Sequence, residues 1–158
     1  MGRAVVNGEV SLDVPEGFRI LGKDELDRLY ADSNPDRWGM AFDGKGMIVS
    51  VFWHKSGALV SSIASAKDAC KSTERRLAKG LGAYNYSLEG FHRREVCGLE
   101  AHGFRHRYAV DGEERICEVT LFKSGRVCYT VYCYSPARME QENRPVLSWI
   151  VDSMSLEQ

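Results

Sequence analysis

No apolar run in this sequence approaches the ~20 residues that a bilayer-spanning helix needs, so a helical membrane span is excluded. A surplus of one charge is lacking too: 21 Lys and Arg face 22 Asp and Glu, a formal net charge of −1. That balance supplies no global attraction to nucleic acid or to an anionic membrane. Neither GxSxG nor HExxH occurs, which removes two common hydrolytic motifs. Gly44-Lys45-Gly46 lacks the Walker spacing and a following helix, so its glycines read as turn chemistry and not as a phosphate cradle. Linkers, internal repeats and low-complexity tracts are missing, and the 158 residues suit one ordinary domain spanning 1–158. The opening MGRAVVNGEV has no long apolar core and does not read as an intact signal peptide. The five cysteines (Cys70, Cys97, Cys117, Cys128 and Cys133) are an odd set with no CxxC. Buried, reduced, core-filling thiols are the expectation, and with them a cytoplasmic location.

What is present is densest between Glu114 and Leu156. ERICEVTLFKSGRVCYTVYCYS carries β-branched and aromatic residues on both sides of Ser124-Gly125. This reads as a hairpin with a two-residue turn, in which Phe122 faces Val127, Leu121 faces Cys128 and Val119 faces Thr130. Apolar residues fall on both faces, so the hairpin belongs in a sheet covered on both sides. Ser135-Pro136 then switches the chain to helix, with Ser as cap and Pro at the first position. Met139, Val146, Leu147, Ile150, Val151 and Met154 form one stripe. Pro145 is expected to start a second helix, capped by Asn143.

Upstream, Ala4–Val6 and Val10–Val14 flank Asn7-Gly8 as a first hairpin, and Trp38–Phe42 and Met47–Trp53 form a second. Lys23–Ala31 is a short helix. Ser62–Lys79 is the clearest helix: Ile63, Ala66, Cys70, Thr73 and Leu77 recur at steps of three and four, and Gly80 stops it. Tyr84–Arg94, Glu100–Val110 and the closing hairpin are four successive strands, turned at Cys97-Gly98 and Asp111-Gly112. Strands joined by tight turns, with few helices between them, indicate an antiparallel sheet and the α+β class.

Two stretches carry a resemblance: VSLDVPEGF near the start, and YTVYCYSP followed by VLSWIVDSMSL at the end. The early strand leads into a Pro-Gly-aromatic turn (Pro15, Gly17, Phe18). The late tyrosine-rich strand (Tyr132, Tyr134, Pro136) leads into a final helix that ends in a serine-hydrophobic step (Ile150, Ser153, Met154). In this the chain resembles the PsbP-like superfamily, which includes the extrinsic PsbP subunit of photosystem II and a Ran-GTPase-binding nuclear import factor. The resemblance implies an antiparallel sheet sandwiched between helices, and a binding or assembly role. It carries over no catalytic or partner-binding residue.

Candidate binding residues come from three groups. His92, His102 and His106 lie on neighbouring strands, with Glu95 and Glu100 as conceivable oxygen ligands. Strand residues four apart stand ~13 Å apart in rise, so one zinc ion cannot take both His102 and His106, and no metal or cofactor is expected. Arg105 and Arg107, with Arg93, Arg94, Arg115 and Arg126, belong to a basic sheet end able to hold an acidic partner or a phosphate. Trp38 and the Trp53-His54 pair are candidates for an aromatic anchor. Interleaved aromatics superficially suit RNA, but the RNP signatures are missing and nucleic-acid binding is not expected. The reading is a binding or scaffold domain without enzymatic activity that engages a protein or a small ligand. The alternative is a metal-dependent or Cys/His-based enzyme on the histidine-bearing strands, with Cys97 as nucleophile. Convergence of Cys97 with the histidines decides between them.

Overall fold

The computed structural model of the chain describes residues 1–55 and 65–157. Strands β1 (Gly2–Val6) and β2 (Val10–Val14) form a hairpin around Asn7-Gly8. The last strand, β10 (Ser155–Leu156), pairs with the other side of β2 and completes a three-stranded sheet. The larger sheet has seven strands in the order β3-β4-β5-β9-β8-β7-β6, every neighbouring pair antiparallel. They are β3 (Arg19–Ile20), β4 (Arg37–Phe42), β5 (Met47–Lys55), β6 (Ser87–Val96), β7 (Leu99–Val110), β8 (Glu113–Ser124) and β9 (Val127–Pro136).

Turn chemistry sets this meander. Cys97-Gly98 and Asp111-Gly112 each place two consecutive residues at positive φ, which two-residue hairpin loops of the primed kind require. The closing hairpin turns one residue later than the sequence reading has it. Gly125 (φ +60) is the first central residue, and Ser124 pairs with Val127. Phe122 therefore faces Tyr129, Leu121 faces Thr130 and Val119 faces Tyr132. The strands slide by two residues, an even step, so every side chain keeps its expected face.

The large sheet is covered on both sides, as the apolar residues on both faces of the hairpin require. One face presents Val49, Val51, Phe122, Tyr129 and Val131 to Leu147, Ile150 and Val151 of the final helix α3 (Glu140–Asp152), and to Val6, Val10 and Leu12 of the small sheet. The other presents Phe104, Cys117, Val119, Leu121 and Tyr132 to α2 (Ala66–Gly80) through Cys70, with Ala69 and Leu77 beside it. Helix α1 (Lys23–Tyr30) lies on this second face, its Tyr30 ring edge-on to Phe52 at 4.9 Å. The chain is thus α+β, with an antiparallel sheet between helical layers. Among the described residues no helix is long and apolar enough to cross a membrane.

The helices differ from expectation in detail. Ser65 caps α2 by accepting the Asp68 N–H at 3.0 Å. Cys70 and Thr73 are buried, Ala66 and Leu77 only half-buried, and Ile63 lies outside the described residues. Pro145 does not start a second helix. It sits inside α3, where its missing N–H forgoes a single bond, to the carbonyl of Gln141, in an exposed stretch. Asn143 is no cap but a buried tie: its Nδ2 donates to Lys45 O at 2.8 Å and to Ser135 Oγ at 2.9 Å. Ser135 is thereby used, and Pro136 closes β9 while a 3-10 turn over Ala137–Met139 leads into the helix.

Candidate functional site

Where α1 and the C-terminal end of α2 splay apart over the sheet they leave a cavity of about 540 Å³. Leu29 and Tyr30 of α1 form one wall, and Leu77 and Leu81 at the end of α2 form another. The sheet supplies the floor. Ile48, Tyr134, Cys117 and His106 stand opposite one another in a single cross-strand row over β5, β9, β8 and β7. Tyr108, Val110 and Arg115 close the remaining side, with Arg115 directly across from Tyr108. A cavity of this size, mostly apolar and carrying a few convergent polar groups, has the form of a small-molecule site.

The polar groups are set by burial and stacking. His106 is 1% exposed and lies between the rings of Tyr86 (5.0 Å) and Tyr108 (5.7 Å). Neither of its ring nitrogens has a hydrogen-bond partner. Burial lowers its pKa from 6.5 to about 4, so at neutral pH it is an uncharged imidazole with one donor and one acceptor unused. Tyr30 donates to Ser50 Oγ at 2.8 Å and reaches Tyr134 Oη at 3.4 Å, and burial pushes its hydroxyl up to about 12. Tyr134 is raised well above the usual tyrosine value, again chiefly by burial. All these hydroxyls are protonated donors at neutral pH.

Tyr30 is held in place by Arg37 on β4, whose guanidinium lies 5.1 Å from the Tyr30 ring centre and 5.6 Å from that of Phe52. Arg37 is almost fully buried and binds Asp27 at 2.7 Å and Asp32 at 2.5 Å. This charge-assisted clamp fixes the C-terminal end of α1, and with it one wall of the cavity, to the sheet. On the other side, Tyr86 donates to Glu74 of α2 at 2.8 Å and holds the second wall.

Of the candidates read from sequence, the structure brings only His106 to this cavity. His102 shares its face of β7 but sits nearer the opposite end of the strand, 3.5 Å from Glu100. His92 stands on the other face, 3.6 Å from Glu118, and its pKa is lowered chiefly by burial. His92 and His102 both line a cleft of about 60 Å³ beside Gly103. Cys97 packs against the larger core, and burial raises its pKa to about 11, the reverse of what a nucleophilic thiolate needs. The histidines and Cys97 therefore do not converge, and among the described residues no group of three metal-ligating side chains gathers.

Arg105 and Arg107 form a clamp and not an open basic patch. Arg105 pairs with Glu89 at 3.1 Å, Glu118 at 3.6 Å and Glu140. Arg107 pairs with Glu89 at 3.3 Å, Glu114, and Glu140 at 3.7 Å. Glu140 opens α3, so the network fastens the start of that helix to β6, β7 and β8. Trp38 and Trp53 are half-buried against the larger core, and His54 is exposed at the end of β5.

Sequence reasoning missed Tyr30 and Tyr134 as site residues, and it placed Arg115 in a basic sheet end and Tyr108 on the His106 face without joining them in one cavity. The signal was present in part: His106 and Tyr108, like Tyr132 and Tyr134, are spaced by two on strands and so share a face. What no local pattern shows is that two helices far apart in the chain splay open over that face.

No protein-family model matches the sequence, and no curated protein matches it. Solved structures do. Cyanobacterial PsbP (CyanoP) from Synechocystis sp. PCC 6803 superposes with a TM-score of 0.71 at 10% identity, covering 99% of this chain and 92% of that one. The Ran-binding protein Mog1p of Saccharomyces cerevisiae gives 0.61 at 10% identity, covering 99% and 96%. LpqN of Mycobacterium tuberculosis, involved in cell envelope biogenesis, gives 0.55 at 14% identity, covering 94% and 83%. Identities this low speak to architecture alone. Read with the sheet order and the helical layers, they give this chain the PsbP-like fold.

Proposed function

We propose that the protein is a non-enzymatic binding domain that holds a small, largely apolar molecule between α1, the end of α2 and the sheet. The observation that carries this reading is the 540 Å³ cavity, walled by Leu29, Leu77 and Leu81 and floored by Ile48, His106 and Tyr134. An apolar molecule seated there takes the aliphatic wall residues out of water, which favours binding. A fragment screen by thermal shift, repeated on Leu81→Trp, tests the reading. Binders should raise the melting temperature of the wild type and lose their effect when the indole fills the cavity. Binders unaffected by Leu81→Trp, or none at all, would refute it.

A protein partner is the second reading. It is favoured by Phe91 (50% exposed) and Leu88 (39% exposed) on β6, the free edge of the large sheet. The Ran-binding of Mog1p shows that this fold serves protein recognition elsewhere. A partner gripping this edge should lose affinity for Phe91→Ser while small-ligand binding persists. The protein is assigned to a reducing compartment, a proposal supported by five free thiols.

A further inference from the structure

We infer that the ligand is an organic anion, with its apolar body between Leu29, Ile48, Leu77 and Leu81 and its acidic head on Arg115 and Tyr108. The inference rests on the cavity being a ligand site and adds the chemical class of its occupant.

Arg115 is the one charged side chain at neutral pH among the residues that line the cavity, and no carboxylate lines it. It is half-buried and makes no ion pair among the described residues. The arginines that brace this fold behave otherwise. Arg37 binds Asp27 and Asp32, Arg94 binds Asp152, and Arg105 and Arg107 bind Glu140 together with further glutamates. A guanidinium left without a counter-charge beside an apolar cavity has its fork of donors free for a carboxylate, sulfonate or phosphate.

Tyr108 adds a second donor at the same spot. It is the cross-strand neighbour of Arg115, and its hydroxyl has no hydrogen-bond partner among the described residues. Burial raises the pKa of that hydroxyl well above 10, and Arg115 is a nearby charge opposing the rise. Arg115 and Tyr108 thus stand together at one side, while Leu29, Leu77 and Leu81 make the facing α1 and α2 walls largely aliphatic. This polarity gradient fits a molecule that is apolar at one end and anionic at the other. A neutral hydrocarbon would leave both Arg115 and Tyr108 uncompensated, and a cation would meet Arg115 head-on.

The test compares two fluorescent probes of nearly the same body. 1-Anilinonaphthalene-8-sulfonate carries the anion, and N-phenyl-1-naphthylamine lacks it. Both are titrated into the full chain, Arg115→Gln, Arg115→Lys and the cavity-filling Leu81→Trp. The expected result is that Arg115→Gln weakens the sulfonate about tenfold or more and the neutral probe by less than about twofold. Arg115→Lys should keep part of the preference, since the charge remains without the fork. Leu81→Trp should abolish both. If both probes bind in the cavity and Arg115→Gln leaves the sulfonate unchanged, the anion inference fails while the ligand site stands. If neither binds, or binding survives Leu81→Trp, the ligand site itself fails and the inference with it.

Discussion

Replacing His106 by Phe should leave the protein at least as stable at pH 7 and make it markedly more acid-resistant than the wild type. The imidazole is buried between Tyr86 and Tyr108 with neither nitrogen bonded, so a phenyl ring keeps the stacking and removes two desolvated polar atoms. The pH dependence follows from linkage. The folded pKa is about 4 against 6.5 for an ordinary histidine. Above pH 6.5 both states are neutral at this ring and it contributes no pH dependence. Between 6.5 and about 4 the unfolded chain takes up a proton that the folded chain refuses, so stability falls as pH falls, by up to about 1.4 kcal/mol per pH unit. Below about 4 the loss is complete, at about 3 kcal/mol. Urea unfolding of wild type and His106→Phe at pH 7.0, 5.5 and 4.5 measures this term alone, because the carboxylates titrate alike in both and cancel in the difference. The gap between the two proteins should widen steadily toward acid. Parallel curves would show that His106 is protonated freely in the folded state, and would remove it from the cavity floor.

Arg37→Met should cost about 1.5–3 kcal/mol, since it removes the charge-assisted bonds to Asp27 and Asp32 and frees the end of α1, and should weaken cavity ligands as well; a melt and a probe titration read both effects. A chain ending at Arg144 should lose cooperative unfolding in a thermal melt. Leu147, Ile150, Val151 and Met154 are all buried, and each contributes ~1.5–3 kcal/mol before entropy is charged against it. A thiol count by mass after denaturation without reductant should find five free thiols, and a disulfide would overturn the proposed reducing compartment.

The legible part of the fold lies where local pattern and tertiary role coincide. Two-residue turns with glycine placed the meander, and the stripe Leu147, Ile150, Val151, Met154 placed the final helix on its sheet. Strands β3 and β10 were invisible because two residues have no period, and β10 exists only because β2 offers it an edge. Pro145 misled because its cost depends on whether the orphaned carbonyl is exposed, which a sequence does not state. Arg105 and Arg107 were legible as a cluster but not as a clamp: Glu89, Glu118 and Glu140 come from β6, β8 and α3 and meet them only in three dimensions. The cavity failed to show for the same reason. Its lining includes Tyr30, Leu77 and Tyr134, each of which looks like an ordinary core residue in its own element.

The most direct test of the ligand site follows the ring resonances of His106 by NMR while 1-anilinonaphthalene-8-sulfonate is added to the full chain. The largest shifts should fall on His106, Tyr108 and Tyr134, with close contacts from the probe to Leu77 and Ile48. Shifts confined to the β6 edge around Leu88 and Phe91, with the His106 ring unmoved, would contradict a ligand cavity and leave the protein-docking edge as the functional surface.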